Sequence, residues 1–123
     1  MIRVALDAMG SDRGVSEVVA GVAQLTREER PLQILLVGDE AQISAALAEE
    51  HYNPAWLQVV HADGFVGMDE SPRAALDARP NCSINVAAKL VQQGEAHALV
   101  SAGSTGAVIL SASDHFQRIP GIR

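Results

Sequence analysis

Aromatic residues are scarce in this chain, with two Phe, one Trp and one Tyr among 123 residues, although 48% of the sequence is hydrophobic. The core must therefore be built from Val, Leu, Ile and Ala, a composition that suits buried parallel strands beneath small-faced helices. Cysteine occurs once, at Cys82, which excludes an intrachain disulfide and fits a reducing compartment. Nine Lys and Arg face fifteen Asp and Glu, for a net charge of -6, and no basic cluster is present. Nucleic-acid binding through a general basic field is excluded on that ground. No apolar run approaches the length that crosses a bilayer, and the start of the chain lacks a charged region followed by a long apolar stretch. The expectation is a soluble, cytoplasmic chain whose length suits one domain.

What is present alternates between two periodicities. Ile2 to Leu6, Leu32 to Val37, Leu57 to His61 and Ala98 to Ser101 are short runs rich in branched aliphatics and predict four strands. Val15, Val18, Val19 and Val22 keep the spacing of one helix face. Asp39 predicts a helix cap, with Gln42 completing a capping-box-like pair, and Ile43 and Leu47 supply that helix's buried side. A further helix is predicted from Ser83 to a stop at Gly94, and another from Ser104 or Thr105. The Gly- and Pro-containing stretch from Ala62 to Cys82 predicts a long connection with a short helix around Arg73 to Ala78. This order predicts an open α/β fold with a mainly parallel sheet, helices on both faces and ligands beyond the carboxyl ends of the strands. Asp7 to Gly14 and Ala102 to Gly106 should meet there.

The turn Ser101 to Gly106 leaves two readings open. Small residues and a following helix suit an anion held by backbone N–H groups, and they equally suit an ordinary strand-to-helix connection with a Ser or Thr cap. The turn is not a Walker loop, a dinucleotide fingerprint or a nucleophile elbow. In Asp7 to Asp12, an acid could orient a substrate, while loop solvation and helix capping by Asp12 or Ser16 are the ordinary explanation. Asp69 and Glu70 read as a solvated loop, and Arg73, Arg79 and Lys89 as weak candidates for an anionic ligand. His51, His61, His97 and His115 lack metal-ligand spacing. His61 alone ends a strand at the predicted ligand edge, where simple hydrogen bonding is its default role.

Six segments together resemble the bacterial phosphate acyltransferase family (PlsX). They are DAMGSD at Asp7, ILLVGDE at Ile34, VVHA at Val59, MDESP at Met68, SAGSTGA at Ser101 and IPGI at Ile119. Family members usually read DAMGGD and SAGNTGA, so Ser11 and Ser104 depart from the pattern. The resemblance implies a three-layer α/β/α sandwich similar to isocitrate and isopropylmalate dehydrogenases, with residues 1–123 forming the N-terminal part of one catalytic domain and a downstream portion absent. It implies an enzyme that forms an acyl phosphate from acyl-(acyl carrier protein) and inorganic phosphate for phospholipid synthesis, with no metal or other cofactor. Phosphate or substrate contacts would fall to Asp7, Gly10, Gly103, Ser104, Thr105 and Gly106. A homodimer with peripheral membrane association is implied for the full-length form. The competing expectations are a catalytically incomplete fragment that binds phosphate or a partner, and a phosphotransacetylase-like enzyme that uses acyl coenzyme A.

Overall fold

The computed structural model describes residues 1–28 and 30–117, so the IPGI segment lies outside the described residues. Strands β1 (Ile2–Asp7), β2 (Leu32–Gly38), β3 (Leu57–His61) and β4 (Ala98–Ser101) form one sheet in the order β3-β2-β1-β4, with every pairing parallel. Helices α1 (Val15–Arg27) and α2 (Glu40–Leu47) connect the first three strands. Helices α3 (Pro72–Ala78) and α4 (Ser83–Gln92) lie between β3 and β4, and α5 (Thr105–His115) follows β4. The four predicted strands are all present, with β1 and β2 each one residue longer than their apolar runs.

Alternation along the central strands assigns the layers. Ile34 and Leu36 point to one face, where they pack with Val19 and Val22 of α1 and Ile43 and Leu47 of α2. Ala5, Leu35 and Val37 point to the other, against Ala87 of α4. Each fully buried aliphatic such as Leu36 or Ile43 contributes roughly 1.5–3 kcal/mol relative to exposure. A third cluster joins Val66, Leu76, Ile84 and Ala107, and so locks the long connection to α3, α4 and α5. The result is the α/β/α layering expected from the sequence.

This arrangement follows from keeping one crossover hand. The chain steps from β1 outward to β2 and β3 with α1 and α2 on one face, then reverses to β4 with α4 on the opposite face. The loops after β1 and β4 therefore diverge from adjacent strands and open a crevice at the switch point.

The expected cap forms at α2 and a different one forms at α1. The Asp39 side chain caps α2 by accepting from the N–H groups of Ala41 and Gln42. The Gln42 amide donates to Asp39 Oδ2 instead of bonding the backbone N–H of Asp39, so the reciprocal half of a capping box is missing. Neither Asp12 nor Ser16 caps α1. Gly14 holds that position at φ 84°, which no extended Asp or Ser cap adopts, and its N–H bonds back to the Ser11 carbonyl. At the end of α4, Gly94 at φ 81° donates to Val91 O while Glu95 donates to Leu90 O, a Schellman closure that satisfies the last carbonyls.

Candidate active site

The site begins with the register of two strands. Asp7 lies opposite Ser101 at the carboxyl ends of β1 and β4, and the Ser101 hydroxyl donates to Asp7 Oδ2 at 3.1 Å. Oδ1 of the same carboxylate accepts from Met9 N–H at 3.0 Å. Asp7 is only 4% exposed, and burial pushes its carboxyl pKa up, opposed in part by the hydrogen bonds from Met9 N–H and the Ser101 hydroxyl. Ser101 Oγ in turn accepts the Gly103 N–H at 3.0 Å. Of the backbone donors expected at an anion, that of Gly103 is thus already engaged.

Two glycines let the loops meet. Gly10 has φ 82°, and a Cβ there would stand 2.8 Å from Val66 O and 3.8 Å from Gly103 Cα. A Cβ on Gly103 would stand 3.0 Å from Met9 O. Backbone packs on backbone here, and side chains have no room. The DAMGSD loop, the SAGSTGA turn and the Val66 segment therefore converge as the sequence predicted for the first two.

Ser104 is buried and caps α5, its Oγ accepting Ala107 N–H at 3.3 Å. Thr105 is exposed at the first helical position. Helix geometry leaves the N–H groups of Thr105 and Gly106 without intrahelical acceptors, and both sit at the positive end of an eleven-residue helix. Gly106 has a second reason to be glycine, because a Cβ there would lie 2.7 Å from Pro72 Cγ at the start of α3. The six predicted positions are gathered at one end of the sheet, with Asp7 and Gly103 facing one another and not open solvent.

A third wall comes from the connection between β3 and α3. Glu70 accepts Gly67 N–H at 2.7 Å and pairs with Arg79, which also donates to Phe65 O. These bonds hold the Glu70 carboxyl at about 2, well below the usual glutamate range. Glu70, expected in a solvated loop, and Arg79, a candidate for an anionic ligand, are instead paired with each other and hold the loop that carries Val66. Arg73 is likewise committed, bridging Asp77 and Asp114. Lys89 stands in the last turn of α4, away from the Ser83 end. His61 Nδ1 accepts Glu40 N–H and its Nε2 pairs with Asp63, so its role is ordinary hydrogen bonding. A cleft of about 380 Å³ lies beside the site, lined by Gly10, Ser11, Phe65 and Met68 among others.

Sequence reasoning missed Ser101 as the residue that ties Asp7 to the turn, because only the β1–β4 register brings the two together.

A family model described as "Fatty acid synthesis protein" matches residues 2–123. A phosphate acyltransferase from Cyanothece sp. is 42% identical over 120 residues, covering 98% of this chain and 34% of the relative. One from Nostoc punctiforme is 45% identical over 121 residues, with 98% and 35% covered, and one from Coxiella burnetii is 39% identical over 121 residues, with 97% and 35% covered. The chain spans about a third of the length of the curated relatives it matches. With the DAMGSD and SAGSTGA loops meeting at one switch-point crevice and residues 2–123 matched, the chain belongs to the phosphate acyltransferase family of fatty acid synthesis proteins.

Proposed function

We propose that the full-length protein transfers an acyl group from acyl carrier protein to inorganic phosphate, giving an acyl phosphate for phospholipid synthesis. The observation that carries this reading is the placement of the Ser101–Gly106 turn beside the Asp7 loop, at the end of the sheet where α/β proteins collect ligands. The phosphate would lie at the start of α5, bound by the Thr105 and Gly106 N–H groups and favoured by the helix dipole. The hydroxyl of Thr105, exposed at that end, is available as a further donor. Asp7 is an acceptor already bonded to Met9 and Ser101, so it serves by fixing the turn and not by binding an anion directly.

In the reaction an oxygen of hydrogen phosphate attacks the thioester carbonyl, the new C–O bond forms and the C–S bond breaks. The phosphate proton ends on the departing sulfur, so atoms and charge balance with no other reactant. Holding phosphate in line with the carbonyl is the chain's main contribution, since proximity and orientation account for much of such a barrier. A homodimer and peripheral contact with membrane belong to the same proposal for the full-length protein. Docking of the acidic carrier protein falls to a local basic patch or to a downstream part of the full-length protein, because the net charge of this chain is -6. Incubation of full-length protein with acyl carrier protein thioester and phosphate, in parallel with acyl coenzyme A, tests the reading. Acyl phosphate formed from the carrier-bound donor is the expected product, and preference for acyl coenzyme A would reassign the donor.

A further inference from the structure

Two large hydrophobic side chains, Phe65 at 39% and Met68 at 43% exposure, stand at the surface beside the candidate site. Single exposed apolar residues are ordinary, but two that line one cleft next to a ligand site form an apolar surface with something to bind. Their loop is not free to fold them inward. Val66, next to Phe65, is buried with Leu76 and Ile84, while Arg79 donates to Phe65 O and Gly67 N–H donates to Glu70. The Phe65 ring also lies against the DAMGSD loop, since a Cβ on Gly10 would stand 3.6 Å from Phe65 Cδ2. A fixed loop therefore presents both side chains at the edge of the site.

We infer that Phe65 and Met68 form the wall that receives the acyl chain of the thioester donor. This rests on the acyl transfer proposed above. Two clefts, of about 380 Å³ and about 300 Å³, share Ser11 and Met68 in their linings. Phe65 and Val15 line the first, and Ala102 and Val18 line the second. Ala102 belongs to the Ser101–Gly106 turn, so an apolar path starts where the phosphate is placed and runs past Met68 to Phe65. For a phosphate oxygen to attack the thioester carbonyl, that carbonyl must sit at the turn. The chain attached to it has to leave from there, and this path is contiguous with that point. An alkyl chain is the part of the donor that gains most by leaving water, each buried methylene being worth roughly fourfold in affinity. Met68, unbranched and adaptable, suits contact with a chain that has no fixed shape.

The test compares hexanoyl- and palmitoyl-(acyl carrier protein) on full-length wild type, Phe65→Ala, Met68→Ser and Phe65→Leu. Calorimetric titration without phosphate reads donor affinity, and acyl-phosphate formation reads KM. Wild type should bind the palmitoyl donor more tightly than the hexanoyl one. Phe65→Ala and Met68→Ser should each narrow that preference by roughly tenfold, the scale of about two buried methylenes. The two positions are independent, so impaired folding of one variant leaves the other to decide. Phe65→Leu keeps an apolar wall and should stay within about twofold of the wild-type preference. KM for phosphate should not move, which separates a chain contact from general damage to the turn. An equal chain-length preference in wild type, Phe65→Ala and Met68→Ser would overturn the proposal, and a lowered melting temperature beside it would assign the two side chains to packing against another part of the protein. A wild type that binds the donors in the expected pattern yet forms no acyl phosphate would refute the proposed reaction and leave this inference standing. A wild type that turns over both donors without preference would do the reverse, and one that binds neither donor would refute both.

Discussion

Gly106 and Pro72 meet so closely that a β-carbon on Gly106 would lie 2.7 Å from Pro72 Cγ. The contact joins the start of α5 to the start of α3, and it gives the last glycine of SAGSTGA a packing role separate from any ligand.

Gly106→Ala is therefore expected to destabilise the protein by about 1–3 kcal/mol through overpacking, although alanine is the better helix former. Pro72→Ala in the same protein should recover most of that loss. Melting temperatures of the two single variants and the double variant measure it. Gly106→Ala with wild-type stability would show that the contact relaxes freely.

Glu70 is held at about 2 by Arg79 and Gly67 N–H. Its folded pKa lies below its unfolded one, so the stability it contributes is complete above about 4.5 and is lost as pH falls toward about 2. Carboxyl titration by NMR should give Glu70 a midpoint near 2 in wild type and one nearer 4.5 in Arg79→Leu. An unchanged midpoint in the variant would rule out Arg79 as the main cause.

Asp7 carries the opposite sign. Burial raises its folded pKa above the ordinary 3.8, so its ionisation costs stability as pH rises from 3.8 through the folded value. Asp7→Asn does not ionise, and its stability relative to wild type should improve across that window. Denaturant unfolding of both proteins at a series of pH values reads the difference. Parallel stability curves would mean that the carboxyl titrates as it does in the unfolded chain.

The cap at α2 predicts a simpler effect. Asp39 Oδ1 accepts from Ala41 N–H at 2.9 Å, and Asp39→Ala should cost about 1 kcal/mol, measurable as a lowered denaturation midpoint. No change in midpoint would mean that water satisfies those N–H groups equally well.

The strands were legible because runs such as Ile34 to Val37 are aliphatic on both faces, which only a buried parallel strand needs. The convergence of Asp7 to Gly14 with Ala102 to Gly106 was legible from element order, since reversal of strand order opens a crevice between β1 and β4. Contacts set by packing were not. Ser101 and Asp7 are 94 residues apart and meet only through the β1–β4 register. The Glu70–Arg79 pair was not legible because the stretch between them has no pattern to show that it folds back. Gly14 displaced the expected caps at α1 because a positive-φ turn, and not a side chain, brings the chain into that helix.

The most direct measurement is the fate of isotopically labelled inorganic phosphate incubated with full-length protein and acyl carrier protein thioester. Label is expected in an acyl phosphate, with one free carrier thiol released per product. Release of carrier thiol with free fatty acid and no labelled acyl phosphate, from folded protein, would contradict it.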